Sequence, residues 1–487
     1  FCACIVQKLI IKRKNGHRMV KIFNFLGKKH TYFVNVISDK VILSKIKKGG
    51  TRMKKKNVAV MLSALTAGSL LLTGCGGGSS SSGDSGSGGS GGGDTLTVMC
   101  VGTEADTYID GYNAIAEKFS EDNEYGVTVE IEFYENEQYK TKLTTLMASN
   151  AVPDIFFTWE LSYLQPFVEG GKVADITSYL EEDQEWKNSF ADGTLDLLAY
   201  DGKNYGVPTQ KSLCVMFYNK QIFEENGVEV PTTYEEFLDV CQTLKDNGVT
   251  PMTMCGTDAW IPAQFVQQIA GGMAGDQLFT DVCDGTEPWN NETHVKAAEE
   301  VKKMADNGYF QDGYIGMGPE ESTDLFTSGQ AAMYFQGAWD ADKCAKSEVG
   351  DNVGAFVLPA YDPQYNNISV GSVDTSFSVS ENCKNKDAAV AFLKYWTSQE
   401  SEDSLLYDYG RIPAGNYEID ESKLSPLMID VLNISNSQVG LTPWWDRQFG
   451  AGEGVEFNNT CVAVLGGEDA QTAFDSLQQF AEDNADR

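Results

Sequence analysis

Three histidines stand in 487 residues, and two of them, His17 and His30, precede residue 75. The remaining one, His294, lies beside Thr293 and Val295 in a helical pattern. A single such residue excludes histidine-based catalytic triads and clustered histidine metal sites, so no metal and no cofactor is expected. Positive charge is scarce as well. Residues 1–74 hold 16 of the 37 bases and one of the 70 acids, which leaves 21 bases against 69 acids, a net of −48 over 413 residues. A body so acidic repels phosphate backbones and argues against nucleic acid and against anionic lipid held by charge; its first effect is solubility. There is no phosphate loop ending in Lys-Ser/Thr, which removes one major nucleotide-binding class. The longest apolar run, Val58 to Leu72, has about 15 residues and is short for a membrane-spanning helix.

That run follows Lys54, Lys55 and Lys56 and ends Leu72-Thr73-Gly74-Cys75. The arrangement resembles a bacterial lipoprotein signal: residues 53–74 are removed, and Cys75 becomes an N-terminus carrying acyl chains. At roughly 0.8 kcal/mol per buried methylene, two or three chains hold a protein on a membrane. The body is therefore expected on the outer face of the bacterial cytoplasmic membrane. Residues 75–94 read as the lipidated Cys75 and a tether, in which Gly76 to Gly93 are Gly and Ser except for Asp84 and span roughly 25 Å as a coil. Residues 1–52 are expected to be untranslated leader read in frame, because Met53 stands directly before the lysine cluster and Gly49-Gly50 is codable as a ribosome-binding sequence.

From residue 95 the apolar pattern alternates between two periods. Leu96 to Val101 reads as a strand, Tyr108 to Asn123 as a helix with Tyr112, Ile115 and Phe119 on one face, and Val127 to Phe133 as a second strand. Helical spacing returns at Tyr139, Leu143 and Met147, and Asp154 to Phe157 reads as a third strand. Strand, helix, strand, helix, strand implies a doubly wound, mostly parallel α/β sheet whose ligands sit beyond the carboxyl ends of the strands. Farther on, Leu213 to Tyr218 reads as a strand, and Thr232 with Glu235 has capping-box spacing ahead of a helix. At 413 residues the body exceeds one ordinary core, so two lobes are expected.

Several blocks then occur in a recognisable order: Pro153-Asp154-Ile155, Tyr205-Gly206-Val207-Pro208, Phe217-Tyr218-Asn219-Lys220 and Gly329-Gln330-Ala331-Ala332-Met333. They continue with Gly337-Ala338-Trp339, Gly371 to Ser378, Ala388 to Leu393, and Arg411-Ile412-Pro413-Ala414. The ordered set resembles the family 1 extracellular solute-binding proteins, the sugar receptors of bacterial ABC importers. The resemblance implies a two-lobed periplasmic-binding-protein fold (class II-like) with a ligand cleft between the lobes, closure on ligand, and membrane permease subunits as partners. By that analogy lobe 1 takes residues 95–207 and 374–425, and lobe 2 takes 208–373 and 426–487. The protein is expected to act as a monomer and not as an enzyme.

A sugar presents apolar C–H faces and a rim of hydroxyls, so its receptor needs aromatic platforms and planar polar groups. Trp159 with Glu160 follows the third strand. Trp339 with Asp340 lies where the resemblance implies a stacking residue, and Trp260 follows a turn-like Gly256-Thr257-Asp258. Trp444 and Trp445 form a pair of which one is expected to face the cleft. Glu104, Gln138, Asp374 and Arg411 complete the candidate ligand contacts, from strand ends and family blocks. Tyr139 and Trp396 read as core. A peptide or polyamine receptor of the same fold, a hydrolase using two carboxylates and a surface adhesin remain alternatives. Eight cysteines follow Cys75, an even number that permits disulfides without zinc-like spacing; Cys100 and Cys214, in expected strands, read as buried thiols.

Overall fold

The computed structural model describes the backbone of residues 9–14, 17–23, 31–37 and 40–46, and backbone with side chains for 94–450 and 452–484. The strands Leu9–Lys14, His17–Phe23, Thr31–Ile37 and Lys40–Ile46 form an antiparallel four-stranded sheet in chain order, within a unit that ends at Gly89. The expected signal, Cys75 and all of the tether but Asp94 lie outside the described residues.

The second unit, from Ser90 onward, begins as the periodicity predicts. Strand β1 (Thr95–Val101) pairs in parallel with β2 (Thr128–Tyr134) and with β3 (Ile155–Thr158). Between them run α1 (Tyr108–Glu121), which buries Tyr112, Ile115, Ala116 and Phe119, and α2 (Asn136–Ser149), which buries Tyr139, Leu143 and Met147. Helix α2 starts at the cleft because the Glu135 carboxylate accepts the N–H groups of Glu137 and Gln138, satisfying two donors of its first turn.

Strand β4 (Val207–Asn219) is long enough to serve both halves of the unit. It is followed by α3 (Tyr234–Asp246), β5 (Thr250–Thr253), α4 (Trp260–Ala274), α5 (Glu292–Asp306), β6 (Ala331–Gly337), β7 (Val353–Phe356) and the second long strand, β8 (Ile368–Val379). Helices α6 (Lys386–Trp396) and α7 (Gln399–Tyr409), then β9 (Gly440–Thr442), α8 (Glu453–Leu465) and α9 (Ala470–Asn484), complete the labelled elements. The strands lie in the order β5-β6-β4-β8-β3-β1-β2, with β7 against β4 and β9 against β8. Pairing is parallel at the outer strands of each half and antiparallel where β4 and β8 meet each other and their neighbours β3, β6 and β7.

Three buried clusters follow from this order. The first draws on residues 96–207 together with 377–405. In the other half, alternate residues of β4 serve opposite faces of the sheet: Cys214 and Met216 pack with α4, α5, α8 and α9, while Leu213, Val215 and Phe217 pack with residues 326–353 and 406–432. The two faces make this half a sheet sandwiched by helices.

One expectation, the capping box, needs correction, and two other readings gain detail. Core side chains change sides within α7, where Leu405 packs in the first cluster and Leu406 in that of the other half. The chain after it returns to the first half: Gly415 bridges Phe190, Asn416 Nδ2 donates to the Phe190 carbonyl, and the Tyr417 hydroxyl donates to that of Thr397. The capping box sits one residue later than read: Thr233, in extended conformation, accepts the Glu236 N–H, and Glu236 accepts those of Thr232 and Thr233. All eight cysteines of the described residues are free thiols; seven are buried and Cys283 is partly exposed.

Candidate functional site

The carboxyl ends of β1 and β3, the start of α2, the start of α4 and the end of β6 converge on one cavity of about 630 Å³. The first half contributes Gly102, Asp106, Tyr108, Gln138, Lys140 and Trp159, the second Asp258, Trp260, Gln336, Trp339, Asp340 and Trp444, and the long strand β8 contributes Asp374 and Thr375.

The indoles are arranged in two groups. In the second half Trp339 stands between Trp260 (centroids 6.1 Å apart) and Trp444 (5.7 Å). Its position depends on Gly337: a Cβ there would lie 2.4 Å from the Trp339 ring, so only glycine lets the indole fold back onto the strand end. In the first half Trp159 is held edge-on by Phe157 and Tyr163, both at 4.8 Å. Trp260 and Trp339 keep part of their surface open, whereas Trp444 is covered by the Arg447 guanidinium, 4.0 Å from its ring centre.

At one end of the cavity Arg411 Nη2 donates to Asp374 Oδ2 at 2.9 Å and to Thr375 Oγ1 at 2.7 Å, with the guanidinium 4.9 Å from the Tyr108 ring. Both charged side chains are buried, yet Arg411 Nε and Asp374 Oδ1 have no protein partner among the described residues. A buried donor and a buried acceptor left without partners cost free energy unless something else satisfies them. Burial raises the carboxyl pKa of Asp340, against the pull of Lys343. Burial also raises that of Asp258, reinforced by Glu135 across the cleft.

Eight carboxylates and four bases line the cavity. Each base already has an acidic partner: Lys140 with Glu137, Lys343 with Asp106, Arg411 with Asp374, and Arg447 with Glu160. An anionic ligand would find every cation taken.

Of the residues singled out from sequence, Gln138, Trp159, Trp260, Trp339, Asp340, Asp374, Arg411 and Trp444 line this cavity. Three do not. Glu104 is exposed beside it. Glu160 is fully buried behind Trp159, facing Arg447. Trp445 points into the core of the second half, stacked on Phe279 at 4.4 Å and edge-on to Trp289 and His294. Gln336 and Arg447 were missed; Arg447 adjoins the aromatic pair, but a glutamine inside an apolar strand carries no local signal.

A mixed α/β body of two halves joined by long strands, with an aromatic cleft between them, is the architecture of periplasmic-binding receptors. Comparison with known proteins agrees. The family profile "Bacterial extracellular solute-binding protein" matches residues 105–403, and the chain belongs to that family. It is 25% identical over 298 residues to the multiple sugar-binding protein of Streptococcus mutans, covering 59% of this chain and 68% of that one. A structure solved in work on xylan utilization by the thermophilic bacterium Caldanaerobius polysaccharolyticus is 31% identical, with a TM-score of 0.74 over 79% of this chain and 99% of that one. A chitin oligosaccharide binding protein, 23% identical, shares the fold with a TM-score of 0.75 over 81% of this chain and 99% of its own.

Proposed function

We propose that the protein is the receptor of an ABC importer for a neutral oligosaccharide, captured between the two halves and delivered to membrane permease subunits. One observation carries this reading: indoles from both halves and a buried, incompletely partnered Arg411–Asp374 pair line one cavity whose four cations are all ion-paired. Its volume falls in the range of small-molecule sites, roughly 300–1,000 Å³. The names borne by the relatives point to sugars, and xylo- and chito-oligosaccharides are the first ligands to try. Ligand touching both halves favours the shut form, which is the form a permease reads. The site residues are Gln138, Trp159, Trp260, Trp339, Asp340, Asp374, Arg411 and Trp444. In this reading the protein binds without turnover, works as a monomer, and is held outside the cell by acyl chains on Cys75.

The test is a thermal-shift and calorimetric screen of the body from residue 94 against neutral oligosaccharides, uronic acids, peptides and polyamines. Neutral sugars should raise the melting temperature, since ligand at a hundredfold its Kd adds about 2.7 kcal/mol, and no new reducing ends should appear. Binding confined to peptides, polyamines or uronic acids, or release of reducing ends, would overturn the proposal. Palmitate labelling lost in Cys75→Ser tests the anchor.

A further inference from the structure

Beside the Trp339 platform, three side chains form a hydrogen-bonded chain in which every direction is set by a group that can only donate. The indole N–H of Trp444 donates to Gln264 Oε1 at 3.0 Å, so the other end of that amide is its NH2 group. That NH2 donates to Gln336 Oε1 at 2.8 Å, and the backbone N–H of Gly337 donates to the same oxygen at 2.9 Å. Gln336 Oε1 therefore holds two donors, and its amide cannot turn over without losing both. Trp444, Gln264 and Gln336 are all buried, so the relay is shielded from exchange with water. What remains is Gln336 Nε2: the side chain lines the cavity, and this nitrogen has no partner among the described residues and is not occluded.

The surrounding chemistry defines what such a donor meets. Carboxylates outnumber bases two to one in the lining and accept hydrogen bonds from hydroxyls, while the cations are engaged with acids. A ligand hydroxyl can satisfy these acceptors, but an ether oxygen has no proton to give and needs a donor.

We propose that Gln336 is a specificity-determining residue, presenting one oriented amide N–H to a ring or glycosidic oxygen of the sugar unit stacked on Trp339, with Gln264 and Trp444 as its positioning residues. The inference rests on the oligosaccharide reading above.

Gln336→Glu is the informative variant. It is isosteric and its carboxylate keeps both accepted bonds, but the outward group becomes an acceptor. Against a neutral oligosaccharide that the wild type binds, the variant should lose at least 30-fold in affinity at pH 7. It should recover most of that, relative to wild type, at about pH 4.5, where the protonated carboxyl donates again. Gln336→Met removes the donor without adding charge and should cost about tenfold at either pH. Wild-type affinity in either variant at pH 7, or a Gln336→Glu loss that persists on acidification while its melting temperature holds, overturns the assignment. If Gln336→Glu does not fold, Gln336→Met decides alone. Failure of the wild type to bind any neutral oligosaccharide would instead defeat the receptor reading itself, and this proposal with it.

Discussion

Glu160 and Arg447 meet 3.6 Å apart, one following the third strand of the first half and the other beside the aromatic pair of the second. Glu160 is wholly out of solvent and burial raises its pKa, an effect opposed chiefly by Arg447. Arg447 is also tied to the Val373 carbonyl at 2.9 Å and to the face of Trp444.

Removing only the cation leaves a buried carboxylate alone, the costly way to break such a pair. Arg447→Met should destabilise by about 3–5 kcal/mol. Adding Glu160→Gln should return much of that loss. A double-mutant cycle by denaturant unfolding measures the coupling; strictly additive effects would show that the two do not act as a pair.

Trp339 keeps part of its surface open and stands between Trp260 and Trp444. Trp339→Ala should weaken oligosaccharide binding by about 2 kcal/mol, roughly 30-fold, with little change in melting temperature. Gly337→Ala should mimic it, because the added methyl occupies the space of the Trp339 ring. Calorimetry on both variants checks this.

His294 is fully buried between Trp289 and Phe474, its Nδ1 3.1 Å from the Trp289 carbonyl oxygen, and burial pulls its pKa down to about 4. The unfolded chain, with an ordinary value near 6.5, binds the proton more readily, so stability is full above about pH 6.5 and falls as pH drops towards 4. The contribution is on the order of 3 kcal/mol. His294→Phe should flatten that part of the stability–pH curve.

Glu402 shows the opposite sign. It is fully buried, and burial drives its carboxyl pKa well up against the Gln210 amide, which lies 3.2 and 3.3 Å from the two oxygens, and against Arg411. The folded state binds the proton more tightly than the unfolded chain, so stability is greatest below the unfolded value, roughly 4.3, and is lost as pH rises towards the folded one. Glu402→Gln should raise the melting temperature at neutral and alkaline pH and leave it near wild type at about pH 4.

The opening β-α-β-α-β run was legible because each segment buries one face only, which leaves a clean period. The capping box was not: Thr232-Glu235 and Thr233-Glu236 have the same spacing, and only the extended backbone at Thr233 decides between them. Strand β4 was read from Leu213, yet it begins at Val207, since a strand covered on both faces loses its alternation. Trp159 was legible as an indole at a strand end, and Trp339 through the ordered family blocks; both line the cavity. Trp444 and Trp445 were not separable, because adjacent residues differ only in the direction that tertiary packing gives them. Gln336 needed the relay behind it, which joins residues from three distant segments.

Tyr112 packs edge-on against Trp396 at 4.7 Å, and the two are separated by about 280 residues of chain that mostly build the other half. During synthesis the first-made strands and helices must wait, with their apolar faces uncovered, until that whole insertion and Trp396 have emerged. Neither half exists as a contiguous gene fragment. A nascent chain arrested before residue 396 should expose the unfinished face to holding chaperones, and assembly is closed late, by the returning segment.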